Sequence, residues 1–149
     1  MYTDPRVGDF INERFVPVRL HVKHQHDDFE HVGQRYGALW TPTILILDEG
    51  GEERHRIEGF LPADDFLSQL MLGAAHAAFR RNDYAAAEPL FTRVAEQFPR
   101  TEAAPEALYW SGVSRYRTTH DASALKDTAR AFSQRYQSTS WAKKASIWQ

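Results

Sequence analysis

Along this chain the spacing of hydrophobic positions changes near residue 70, from short mixed patterns before it to uninterrupted helical patterning after it. Asp4 before Pro5 reads as an N-cap with proline at the first helical position. Val7, Phe10 and Ile11 then share one face, which predicts a short helix over residues 5–13. In Phe15-Val16-Pro17-Val18-Arg19-Leu20-His21-Val22, every second residue from Val16 to Val22 is apolar. Pro17 stands near the start, where a missing N–H is tolerated, so a strand is expected. Phe29, Val32 and Tyr36 predict a helix over 28–36, stopped by Gly37. Ile44-Leu45-Ile46-Leu47 is apolar on both faces, as suits an interior strand. Asp48-Glu49-Gly50-Gly51 supplies a turn, residues 53–57 alternate as a partly exposed strand, and Gly59 ends it, which makes a hairpin. A helix opens near Pro62 with Asp64 and Asp65 at its positive end and Phe66, Leu67, Leu70 and Met71 on its apolar face.

Beyond that point strand signals vanish. Ala-rich helical patterning covers 63–81, breaks at Asn82-Asp83, resumes over 84–98 and stops at Pro99, which predicts two antiparallel helices. A second pair is predicted over 101–119 and 122–136, with Asp121 as its inner N-cap. Ser138 or Ser140 then opens a final short helix carrying Trp141 and Trp148. At an offset of 38 residues Asp83 falls on Asp121, Ala87 on Leu125 and Phe98 on Tyr136, a faint internal repeat.

With 149 residues, 42% hydrophobic and 26% charged, the chain has ordinary soluble composition and is long enough for a core without metal or disulfide staples. It contains no cysteine, which removes disulfides, thiolate nucleophiles, zinc thiolates and Cys-x-x-Cys redox pairs from these residues. Net charge is −2 with the signs interleaved, so neither nucleic acid nor an anionic membrane is an expected partner. No run approaches the ~20 apolar residues of a membrane span. The start Met1-Tyr2-Thr3-Asp4-Pro5 lacks the basic and apolar pattern of a signal peptide, so a cytoplasmic location is expected.

Trp40-Thr41-Pro42-Thr43, followed by a buried strand, a Gly-Gly hairpin and a helix, resembles the C-terminal part of a thioredoxin-fold domain. The segment from Tyr2-Thr3-Asp4-Pro5-Arg6-Val7 through Phe15-Val16-Pro17-Val18 is similar to the stretch after the Cys-x-x-Cys of bacterial thioredoxin-like proteins. The resemblance covers residues 2 to about 70 and places Met1 just downstream of the missing cysteines. It implies a cis peptide bond before Pro42, with the backbone of Thr41 presented to a bound peptide. It also implies that a strand is missing between residues 16–22 and 43–47, and unpaired buried backbone groups cost about 1–3 kcal/mol apiece. Three outcomes stay open: the remaining strands close on each other, another copy fills the slot, or the native product is longer. A three-stranded remnant sheet is expected.

The second half resembles tetratricopeptide repeats, on Asn82-Asp83-Tyr84, Ala87, Phe91 and Phe98-Pro99. A looser second copy is carried by Ala107-Leu108-Tyr109-Trp110-Ser111-Gly112, Tyr116, Phe132 and Tyr136, with Gln137 where that family has proline. The fold class expected is therefore α/β plus all-α: a truncated thioredoxin-like domain over 1–70, then tetratricopeptide-like helical hairpins over 71–149. The helix from residue 63 is expected to run into the first repeat and join the two rigidly.

Candidate chemistry is sparse. His21, His24, His26 and His31 with Asp27 and Asp28 are types that ligate zinc or nickel, but their spacing matches no standard site, and solvated loop histidines are the expectation. Asp64-Asp65 and Glu52-Glu53 read as helix-start charge and a solvated strand face, and no Walker loop, GxSxG or dinucleotide fingerprint occurs. No catalytic residue, metal or cofactor is expected. Trp40 is expected at the core or rim. Trp40, Thr41, Pro42 and Thr43 form the candidate peptide-binding element, because an exposed edge beside Thr41 accepts a strand. Arg80, Tyr84, Trp110 and Arg115 are the candidate groove residues on the repeats. The expected function is a non-catalytic adaptor for a protein or extended-peptide client, with homodimerisation through exposed strand edges as a further partner expectation. The alternative is a thiol-disulfide oxidoreductase whose Cys-x-x-Cys part lies upstream of these residues.

Overall fold

The computed structural model describes residues 1–149. Seven α-helices, two strands and a closing 3-10 turn follow in the order α1 (Pro5–Arg14), α2 (His26–Tyr36), β1 (Thr43–Leu47), β2 (Glu53–Glu58), α3 (Ala63–Arg80), α4 (Tyr84–Gln97), α5 (Ala103–Thr119), α6 (Ser123–Gln134), α7 (Ser140–Ala145) and the 3-10 turn Ser146–Trp148. No helix is long and apolar enough to cross a membrane.

α1 starts where its sequence dictates. The Asp4 carboxylate accepts the Arg6 N–H, Pro5 occupies the first turn, and Val7 and Phe10 bury one face. The helix lies on α3, where Arg6 bridges to Asp64 at 2.8 Å and Tyr2 meets Phe66 edge-on. α2 ends at Gly37 in the left-handed conformation, φ 60°, which glycine adopts without Cβ strain. It is tied to the hairpin from the side: the Tyr36 hydroxyl donates to the Gly51 carbonyl at 2.7 Å, and Arg56 donates to the Tyr36 and Gly37 carbonyls.

The sheet has two strands, not three. β1 and β2 pair antiparallel, Ile44 opposite Ile57 and Ile46 opposite His55, with a bulge after Ile46. The Asp48 carboxylate closes the turn by accepting from the Gly50 and Glu52 amides and from Arg54. The strand expected over 16–22 is instead irregular backbone, with Val16 93% and Val18 80% exposed. A strand is stable only when a neighbour takes its N–H and C=O groups. With no neighbour beside it, the alternating valines gain nothing by ordering, and the backbone stays with water.

α3 is the spine. It runs unbroken through residues 70 and 71, with Phe66, Leu67, Leu70, Met71, Leu72, Ala75 and Ala78 all buried, so it is covered on several sides rather than along one stripe. The hairpin sits on it at Gly73, where an added Cβ would come 2.1 Å from Ile46 Cδ1 and 2.9 Å from His55 Cβ. Asn82 at φ 63° turns the chain, and the Asp83 carboxylate accepts the Ala86 N–H to start α4. α4 packs between α3 and α5 through Ala87, Leu90, Phe91 and Val94, and α5 packs on α6 across Gly112. Asp121 accepts the Ser123 N–H at the start of α6; Thr139, rather than Ser138 or Ser140, caps α7 through the Ala142 N–H. The Tyr136 hydroxyl donates to the Pro99 carbonyl, tying the end of α6 to the α4–α5 turn. One cluster of 22 buried residues extends from Val7 to Ala145, so hairpin and helices share a core.

Candidate functional site

Residues 39–43 leave α2 and enter β1 at the open end of the hairpin. The Thr43 hydroxyl donates to the Trp40 carbonyl at 2.6 Å, the Thr41–Pro42 peptide bond is cis, and the Gly59 N–H donates to the Pro42 carbonyl at 2.8 Å. That last bond sets the phase of the ladder. Alternate residues of an antiparallel pair exchange bonds, so Ile44 and Ile46 face β2, and Thr43 and Leu45 turn their amides and carbonyls to the free edge. Trp40 does not pack into the core or its rim. It is 70% exposed, with Leu39 at 92% and Phe60 at 71% on the same end of the hairpin. An exposed apolar group beside a free strand edge is the arrangement used to add a strand from another chain.

The four groove candidates do not form one pocket. Tyr84 and Trp110 belong to a continuous run of half-buried aromatic rings. Tyr84 meets Phe79 at 5.0 Å, Phe79 meets Trp110 at 5.0 Å, Trp110 meets Tyr109 at 5.4 Å, and Tyr109 stacks on Trp148 at 4.7 Å. Arg117 covers Tyr84, with its guanidinium carbon 4.6 Å from the ring centre. Burial pushes the Tyr109 hydroxyl above the ordinary phenol range, and the Trp110 Nε1–H is buried without a partner. Arg80 is exposed at the end of α3. Arg115 points elsewhere, donating to Glu88 at 2.8 Å on the rim of a shallow groove of about 360 Å³ between α4 and α5, lined also by Thr92, Arg93, Glu96 and Gln97.

The histidine-rich segment brings His21 and His24 together, ring centres 4.5 Å apart, and His26 to 3.9 Å from Glu30. No three histidine or carboxylate side chains are placed so that together they could hold a metal ion. Asp64 answers Arg6, and Glu53 answers Arg56, so both carboxylate pairs are partly neutralised by arginine.

One constellation was not foreseen from sequence. His55 of β2, Gln69 and His76 of α3, and Glu106 and Trp110 of α5 meet where hairpin and helices join. His55 lies 2.7 Å from Gln69 through Nε2, and His76 lies 2.8 Å from Glu106 through Nε2. Burial pushes His55 below the usual imidazole range, and neighbouring His76 acts in the same sense while Gln69 opposes it. The available signal was a histidine on the inward phase of an alternating strand and another on the apolar face of a helix. Neither spacing connects the two.

The fold around the free edge now has a counterpart. Residues 1–73 match the family of the thioredoxin-like domain. No curated protein and no solved structure matches the chain. The matched region contains α1, α2 and the hairpin and ends inside α3, seven residues before its last residue Arg80. It therefore includes Trp40, Thr41, Pro42 and Thr43 and stops short of Tyr84 and Trp110. The region beyond it is helical to its end, consistent with helical repeats.

Proposed function

We propose that this chain is a non-catalytic adaptor, a thioredoxin-like unit (residues 1–70) joined to tetratricopeptide-like helical hairpins (71–149), that holds an extended segment of a client protein. The free edge of β1 carries this reading, with Thr43 and Leu45 offering backbone groups beside exposed Trp40. A client strand laid along that edge takes those hydrogen bonds and covers the indole. The aromatic run from Tyr84 through Trp110, with Arg117 over Tyr84 at one end, supplies a second surface suited to an acidic segment. Contact of this kind needs no cofactor, and no residue here has a thiol to exchange.

The test is an array of extended peptides with alternating apolar residues, probed with the full chain. Trp40→Ala is expected to weaken the best binder by about tenfold or more, the effect of losing about 1.4 kcal/mol at one aromatic anchor. Leu45→Pro removes an outward N–H without taking a bond from the hairpin, and is expected to abolish binding while thermal melting stays near wild type. Absence of any binder, or binding indifferent to both substitutions, sinks the reading. Light scattering on the same samples separates client capture from a homodimer using that edge.

The family match is equally compatible with a second reading, in which these residues belong to a longer thiol-disulfide oxidoreductase and the helices select its client. An in-frame Cys-x-x-Cys immediately upstream of the Met1 codon supports it; a stop codon there removes it.

A further inference from the structure

We propose that His55, seated against Gln69 and His76, is an acid-released latch fastening the β-hairpin to α3. The latch stands on contacts separate from the β1 edge and holds whether or not that edge takes a client.

The geometry is specific. His55 projects from β2 onto α3 beside Gly73, the one position where the hairpin approaches the helix too closely for a side chain. Its Nε2 is 2.7 Å from Gln69 Oε1, and because a carboxamide oxygen only accepts, the neutral ring carries its proton on Nε2. The His76 ring lies nearly parallel to it, centres 6.2 Å apart, and directs Nε2 to Glu106 of α5 at 2.8 Å. Phe91 and Trp110 pack edge-on against His76 and keep water from that side. The titratable groups that bear on His55 are Glu53 on its own strand, His76 on α3 and Glu106 on α5, and β1 presents apolar Ile46. Glu53 is engaged by Arg56, and Glu106 by His76, so no carboxylate hydrogen-bonds to His55.

A proton added to His55 therefore creates an imidazolium in a largely buried seat, facing another imidazole and hydrogen-bonded to a neutral carboxamide rather than to a counterion. Its folded-state affinity for protons is depressed, chiefly by burial. The unfolded imidazole takes up its proton near pH ~6.5. The stabilisation from neutral His55 is thus fully present above that pH, falls as pH drops below it, and is lost once pH passes the lower folded value. The element released is the hairpin, because His55 belongs to it, whereas the α4–α5–α6 packing involves no histidine other than His76 at its margin. Acidification then loosens β1 and residues 40–43 ahead of the helices.

Backbone hydrogen exchange on the full chain, expressed as protection factors at pH 7.5 and 5.0, reads this directly. Protection at His55 and Ile57 is expected to fall severalfold from the higher to the lower pH, while Val94 and Leu108 hold theirs. In His55→Gln the hairpin's protection is expected to be the same at both pH values. Uniform loss across α3–α6, or equal acid sensitivity in wild type and His55→Gln, overturns the latch. Should His55→Gln not fold, NMR titration of the wild-type imidazoles decides: His55 protonating at or above the ordinary histidine value, or protonating below it while hairpin amide protection is kept, overturns the proposal, and protonation below it with hairpin protection lost over the same pH range supports it.

Discussion

Truncating Phe91 to alanine is expected to lower folding stability by about 3–5 kcal/mol, the range for a fully buried aromatic whose cavity cannot collapse. The ring is fully buried in α4 and meets His76 of α3 at 5.1 Å, while α4 itself is held between α3 and α5. Three long helices fix the walls of the space it fills, so little relaxation can recover the loss. For a chain of this size the melting temperature should drop by about 6–20 °C. Because α3 also carries the hairpin, hairpin and helix signals should shift together in one transition, read by near-ultraviolet circular dichroism and by hairpin amide exchange. A loss under about 1 kcal/mol, or a hairpin that melts where it did before, contradicts the shared core.

Gly112→Val is expected to cost about 2–3 kcal/mol, near the upper end for overpacking. A Cβ at this position would stand 2.0 Å from Thr128 Oγ1, 2.8 Å from its Cβ and 2.9 Å from its Cγ2. Thr128 cannot easily turn away, since its hydroxyl donates to the Ala124 carbonyl and its side chain is buried. Replacing glycine inside a helix gains at most about 1 kcal/mol in propensity, and less for a β-branched residue, so the clash wins. Thr128→Ala in the same chain should return part of the loss, because it removes two of the three clashing atoms. A double-mutant cycle in urea measures this coupling. A neutral Gly112→Val would mean that α5 and α6 are not held at this distance.

Much of the element order was legible in local chemistry. Asp4-Pro5, Gly37, Asn82-Asp83 and Pro99 punctuate the chain where the helices begin and end, because capping and φ restriction act within a few residues. The hairpin was legible for the same reason: Asp48 and Gly51 make a turn by themselves. Residues 16–22 carry an equally good alternating pattern and form no strand, because pattern supplies only one side of a ladder. Trp40 shows the same limit: hydrophobicity argues for packing, but no core element lies over this end of the hairpin and the ring is 70% exposed. Sequence names Trp40 to Thr43 as a candidate by their contiguity, whereas for Arg115 and Trp110 it does not show on which side of α5 each lies, and Arg115 faces Glu88.

Sequence by itself determined which stretches coil, where they stop, and that no thiol chemistry resides in these residues, since each follows from residue identity or from neighbours a few positions away. Only the tertiary structure decided that the sheet has two strands, that one edge of β1 is free, and that two histidines 21 residues apart in the chain stack between hairpin and helices. Those outcomes depend on groups distant in sequence competing for the same space and the same hydrogen bonds, a competition settled only when the whole core has assembled.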